Sequence, residues 1–249
     1  RFLPKLKSLG ILAVDVMKQQ QKPESKAIIF DSGPLISFSM NGITDIVKKL
    51  KGVFHGKFLI TSEVKKEVID TPLQIKKFEL EALKIKTLLD EGVLELPGFF
   101  GVKDFEIEKE DNEMLRIANS TFNSKGKDIN ILDHGEASCL ALSKILTNKG
   151  IKNVIAVDER TTRLLVERPE DLKSIFEERM NAKISIKTQN LKFFKDFRII
   201  RSAELAYVAY KKNLLDIKNG LILDALLYAL KFKGAAISGD EIEQIKKLA

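Results

Sequence analysis

"AIIFDSGPLIS", residues 27–37, is the stretch on which the reading of the fold turns. Ala27, Ile28, Ile29 and Phe30 are apolar without alternation, the pattern of a short strand buried on both faces. Asp31 follows at once, and Ser32, Gly33 and Pro34 predict a turn. The same grammar returns in "NVIAVDERTTRLL", residues 153–165, where an apolar strand ends in Asp158 and a helix follows. "KFLITSEVKKEVID" gives a third strand at 57–60, with Thr61 or Ser62 as N-cap of a helix reaching about Asp70. Strands alternating with helices imply βαβ units and a mainly parallel sheet covered on both faces. Ligands of such sheets sit beyond the carboxyl ends of the strands, where Asp31 and Asp158 fall.

Outward from this frame, residues 1–21 predict an amphipathic helix and 22–26 a linker. A helix near 41–51 ends at Gly52, a helical stretch from Pro72 stops at Gly92, and 93–96 suits a short strand. A further helix covers about 108–122, and 124–130 is a basic, turn-rich loop. "DHGEASCLALSKIL" opens with Asp133 and Glu136 three apart, a capping-box spacing, and continues as a helix apolar almost all round. The charged stretch 167–197 has no clear period. A strand at 198–200 and helices near 202–212, 221–232 and 238–248 complete the chain, the last opened by Ser238 and Glu241.

The 249 residues suffice for a sizeable core, and 44% hydrophobic with 31% charged residues is a globular composition. One cysteine and two histidines exclude a disulfide framework and argue against a Cys/His zinc site. A reducing, cytoplasmic setting and no membrane span are expected. The net charge of +7 suits an anionic partner. No Gly-rich loop with its lysine, H-E-x-x-H or G-x-S-x-G is present.

A carboxylate after a strand is ordinarily a helix N-cap, and Asp133 with Glu136 is ordinarily a capping box. The acids carry weight as a set. Asp31 and Asp158 stand at strand ends, while Glu67, with Glu63 one turn earlier, borders the apolar stripe of a helix. Glu136 lies one turn before Cys139 and Leu140. A charge facing inward there needs a partner or a cation. His134 reads as a loop residue, and Phe193 with Phe194 as core.

"IIFDSGPLI", "LITSEVKKEV", "LDHGEASCLALS" and "VIAVDERTTR" stand in the order and company seen in PIN-domain proteins, a family that includes the VapC-type toxins and archaeal relatives. The resemblance spans about residues 27–166, and the third segment looks most like the branch with Gly-Glu-Ala ahead of an apolar helix. It implies a three-layer α/β/α domain with a central, mainly parallel sheet and additional N- and C-terminal helices. The expected organisation is an extension and linker over 1–26, a PIN-like core over 27–166 elaborated at 73–130, and a helical region over 167–249.

By position the resemblance makes Asp31, Glu67, Glu136 and Asp158 catalytic, and adds Asp133 to them as metal ligands. The family often has a second aspartate beside the last acid, where this chain has Glu159. Ser32 matches a small hydroxyl residue beside the first acid. Carboxylates gathered in one crevice repel one another, and oxygen-only donors favour Mg2+ or Mn2+. The implied activity is a metal-dependent endoribonuclease, either a toxin paired with an antitoxin protein or an RNA-processing enzyme. A homodimer is expected. Lys65, Lys66, Lys125, Lys127, Arg160 and Arg163 are the basic residues placed to hold RNA phosphates. The alternative is a non-cleaving RNA-binding or scaffold protein, and a weaker one a phosphotransfer protein with Asp31 as acceptor.

Overall fold

The computed structural model describes residues 26–248. The helix and linker expected before Lys26 lie outside the described residues. Within them the chain is a mixed α/β fold with two sheets, one of them parallel.

The parallel sheet has the order β2-β1-β5-β7, formed by β1 (Lys26–Phe30), β2 (Lys57–Leu59), β5 (Lys152–Ala156) and β7 (Ile199–Ile200). In β1 every residue from Ala27 to Phe30 is buried, so both faces of the strand are covered, as its unbroken apolar run requires. Ile28 registers with Phe58 on one side and Val154 on the other. The rings of Phe30 and Phe58 pack 5.1 Å apart. Burying an aliphatic or aromatic side chain of this size stabilises by roughly 1.5–3 kcal/mol. One buried apolar cluster runs from Ala27 to Ile245.

Ser32, Gly33 and Pro34 do not turn the chain. They open α1 (Ser32–Met40), with Asp31 as N-cap. Proline fits because the first turn of a helix needs no backbone donor there. The next helix, α2 (Asp45–Phe54), runs through Gly52, with Leu50 and Phe54 buried on its inner side. Thr61 caps α3 (Ser62–Lys65), accepting from the Val64 amide at 3.2 Å. That helix widens into a π-helical turn at Lys66–Asp70. The expected helix from Pro72 shortens to α4 (Glu79–Asp90), ending before Gly92 at φ +69°. The expected strand at 93–96 is a single bridge, Leu59 to Glu95, with Lys51 and Lys57 on the Glu95 carboxylate at 3.0 and 2.6 Å.

After α5 (Asp104–Asn119) the basic loop proves to be a hairpin. Its strands β3 (Phe122–Ser124) and β4 (Lys127–Asp128) are joined by Lys125 and Gly126, both at positive φ as a two-residue connection demands. A third strand, β6 (Ile184–Ile186), pairs antiparallel with β3. It comes from the charged stretch, which also forms α8 (Pro169–Met180) and α9 (Thr188–Leu191). The central helix α6 (His134–Asn148) packs on β1, β5 and α5, and nine of its residues are buried. Following β5 and β7 come α7 (Arg160–Glu167) and α10 (Ser202–Lys211), then α11 (Ile222–Phe232) and α12 (Gly239–Lys246). Among the described residues no helix is long and apolar enough to cross a membrane.

Candidate functional site

Asp31 leaves β1 with its backbone amide bonded to the Ala156 carbonyl of β5 at 2.9 Å, which fixes it at the carboxyl edge of the sheet. Its side chain is 3% exposed, and one oxygen faces the Gly33 amide at 3.5 Å. Burial, followed by the negative charges of Glu67 and Asp133, pushes its carboxyl up to about 7, against the Ser32 and Gly33 amides that favour the anion.

Glu67 reaches the same place from the π-helical turn. It loses hydration there and feels Asp133, so its carboxyl is raised, while the Ser32 hydroxyl donates to it and works the other way. Asp133 and Glu136 arrive together as the capping box of α6. The Glu136 amide donates to Asp133 Oδ1 at 3.2 Å and the Asp133 amide donates to Glu136 Oε2 at 2.9 Å. The two carboxyl groups are also close enough to affect each other's titration through a side-chain hydrogen bond. Burial and that bond push Glu136 up to about 9, and the same bond holds Asp133 below its usual range.

Gly135 marks where these groups converge. A Cβ placed there would stand 2.8 Å from Glu67 Oε2, 3.3 Å from Asp133 Oδ1 and 3.8 Å from Asp31 Oδ1. Carboxylates from three separate stretches thus face one small space, and only the missing side chain of a glycine leaves it open.

Asp158 is a neighbour of this group with its carboxylate committed elsewhere. Its Cβ lies 3.4 Å from where a Cβ on Gly33 would stand. Oδ1 accepts from the Ser202 amide at the start of α10 at 2.8 Å, and Oδ2 faces the Ser37 hydroxyl of α1 at 3.4 Å. Burial raises its carboxyl, against the Ser202 hydrogen bonds and the charge of Arg201. Glu159 caps α7, accepting from the Thr162 amide at 2.6 Å.

Two of the basic residues hold ion pairs with other acids. Lys65 is paired with Asp70 at 2.6 Å and Lys66 with Glu63 at 4.0 Å. Lys125 and Lys127 are exposed on the β3–β4 hairpin and, among the described residues, form no ion pair with the clustered acids. Arg160 and Arg163 line a separate cleft.

His134 is the first residue of α6 rather than part of a loop. Its Nδ1 lies 2.7 Å from Asp111 Oδ2, and that hydrogen bond raises the imidazole pKa. Both residues line a cavity of about 200 Å3 beside Thr61, Glu63 and Ser138. Asp111 sits at helical spacing between the buried Ile107 and Met114, an acid on an apolar stripe that the sequence displays openly.

Among the described residues no group of three or more His, Cys, Asp and Glu side chains is drawn together closely enough to grip a metal ion as the atoms stand. The donor chemistry at Gly135 nonetheless suits a hard cation. All donors are carboxylate oxygens, and burial beside neighbouring acids raises Asp31 and Glu136, a cost that a bound cation would relieve. Comparison of the chain with family models, with curated proteins and with solved structures gave no match.

Proposed function

We propose that the crevice beyond β1 hydrolyses RNA phosphodiester bonds with the help of Mg2+ or Mn2+, in the manner of the PIN-domain family that the sequence resembles. The observation that supports this reading is the convergence of the Asp31, Glu67 and Asp133 carboxylates, with Glu136 bonded to Asp133, on the space in front of Gly135. These four residues would hold the ion. Bound there, a divalent ion polarises the phosphodiester and makes water more acidic. Ser32 steadies Glu67 through its hydroxyl, and the reciprocal capping bonds of α6 hold Asp133 and Glu136 side by side. Asp158 is a positioning residue in this reading, tying the strand end at β5 to α10 and α1.

The test is cleavage of a labelled single-stranded RNA by the full chain in Mn2+ and in EDTA, beside Asp31→Asn and Glu136→Gln. Activity in Mn2+ alone, lost in both variants, is expected. Equal cleavage by all three proteins overturns the reading. One observation favours the alternative of a non-cleaving RNA-binding or scaffold protein: the Asp158 carboxylate is taken up by Ser202 and Ser37. Calorimetry without heat on Mn2+ addition, together with retained RNA binding, selects that alternative.

A further inference from the structure

A second concavity, of about 970 Å3, opens among α7, α10, α11 and α12, and contains none of the four clustered acids. Its lining includes Arg160, Arg163, Arg201 and Lys231. Donors and acceptors do not balance there. Arg201, 6% exposed, spends its terminal nitrogens on Glu241 at 2.9 Å, Glu204 at 3.2 Å and the Ala236 carbonyl at 3.3 Å. Its Nε is nonetheless buried without an acceptor. Arg163 is 8% exposed and stands 3.9 Å from the Glu167 carboxylate, beyond hydrogen-bond reach, and its Nε is likewise buried and unmet. Burial, then the like charge of Arg201, lowers its pKa. Arg160 and Lys231 form no ion pair among the described residues.

Buried donors of this strength are almost always satisfied in folded proteins, so two unmet Nε atoms mark a cleft floor short of acceptors. Those atoms are sealed, and a ligand would meet Arg163 through its terminal nitrogens, which face the cleft. Phosphate oxygens meet guanidinium groups with matched geometry. The cleft walls also carry Glu167, Asp171, Glu204 and Glu241. A strand of repeating phosphates would be repelled by that wall, whereas a small ligand with one anionic end and hydrogen-bond donors elsewhere suits both signs. The volume falls in the ~300–1,000 Å3 range of small-molecule sites.

We propose that this cleft binds a small phosphate-bearing molecule of nucleotide size, its phosphate held by Arg163, Arg160 and Lys231. The site is separate from the carboxylate crevice and does not depend on what that crevice does.

Isothermal titration of the full chain in EDTA with inorganic phosphate, adenosine monophosphate and adenosine tests it. The monophosphate binds saturably, phosphate binds more weakly, and adenosine binds at least tenfold more weakly than the monophosphate. Arg160→Ala and Lys231→Ala, at accessible positions, each weaken the monophosphate at least fivefold, and Arg163→Lys at least tenfold. Asp31→Asn leaves its affinity unchanged. Absence of saturable binding, equal binding of adenosine, or indifference to Arg160→Ala and Lys231→Ala overturns the proposal, even where Arg163→Lys fails to fold. An RNA oligomer without a terminal phosphate that binds tighter than the monophosphate, with the same dependence on Arg160 and Lys231, marks a strand groove and overturns it too.

Discussion

Replacing Gly135 with alanine separates the stability of the fold from its capacity for cations. The new methyl would lie 2.8 Å from Glu67 Oε2, and ordinary van der Waals contact begins at 3.4 Å, so that oxygen must retreat by 0.6 Å. Glu67 ends a flexible side chain on an exposed turn, partly desolvated at its carboxylate, so that retreat costs little, and Asp133 Oδ1 at 3.3 Å has to give by only 0.1 Å. Gly135 is in the first turn of α6 at ordinary backbone angles, and alanine there gains at most ~1 kcal/mol of helix propensity. The two effects offset, and the unfolding free energy should move by less than about 1 kcal/mol. Cation binding is less forgiving, because ligating groups must be held to within about 0.5 Å. Mn2+ affinity should fall at least about tenfold, equivalent to about 1.4 kcal/mol. Titration calorimetry with Mn2+, paired with thermal unfolding in EDTA, reads both quantities. Unchanged Mn2+ affinity in a well-folded Gly135→Ala protein would refute the idea that the acids act as one group around that glycine.

Three further outcomes follow from the same geometry. The unfolded chain releases the protons of Asp31 and Glu136 near pH 4, whereas the folded chain keeps them to about 7 and about 9, so it binds more protons in between. Stability in EDTA should therefore fall as pH rises from about 4 to 9, and Mn2+ should restore it at the alkaline end; a thermal-unfolding series with stability rising over that range contradicts the assignment. Asp158→Ala strips the acceptor from the buried Ser202 amide and should cost about 1–3 kcal/mol in chemical denaturation, with Mn2+ affinity altered by less than about threefold. Arg201→Met leaves Glu204 and Glu241 without their shared cation and should cost about 3 kcal/mol, a fall in melting temperature of roughly 6–12 °C.

Much of this architecture is legible because its signals are local. The unbroken apolar runs before Asp31 and Asp158 become neighbouring parallel strands, and Thr61, Asp133 and Ser238 cap the helices their spacing announces. The second sheet is not legible. Its strands are two or three residues long and partly polar, and β6 joins β3 from about sixty residues away, so no periodicity marks them. The gathering of Asp31, Glu67, Asp133 and Glu136 can be anticipated from where strands end and helices begin. The commitment of Asp158 to Ser202 cannot, since its partner lies 44 residues on and belongs to a helix placed by a two-residue strand. Likewise Arg160 and Arg163 look near the acids along the chain, but the α7 helix carries them into a different concavity.

The sheet order sets a condition on synthesis. β7 forms an edge beside β5 and is followed at once by Ser202, whose amide anchors the acid at the end of β5. A growing polypeptide that has already produced β1, β2 and β5 still lacks that anchor, and gains it only when β7 and Ser202 have left the ribosome. Until β7 and Ser202 are made, the rim around Asp31 stands half supported, so this crevice matures only after the segment that follows β5 has been synthesised.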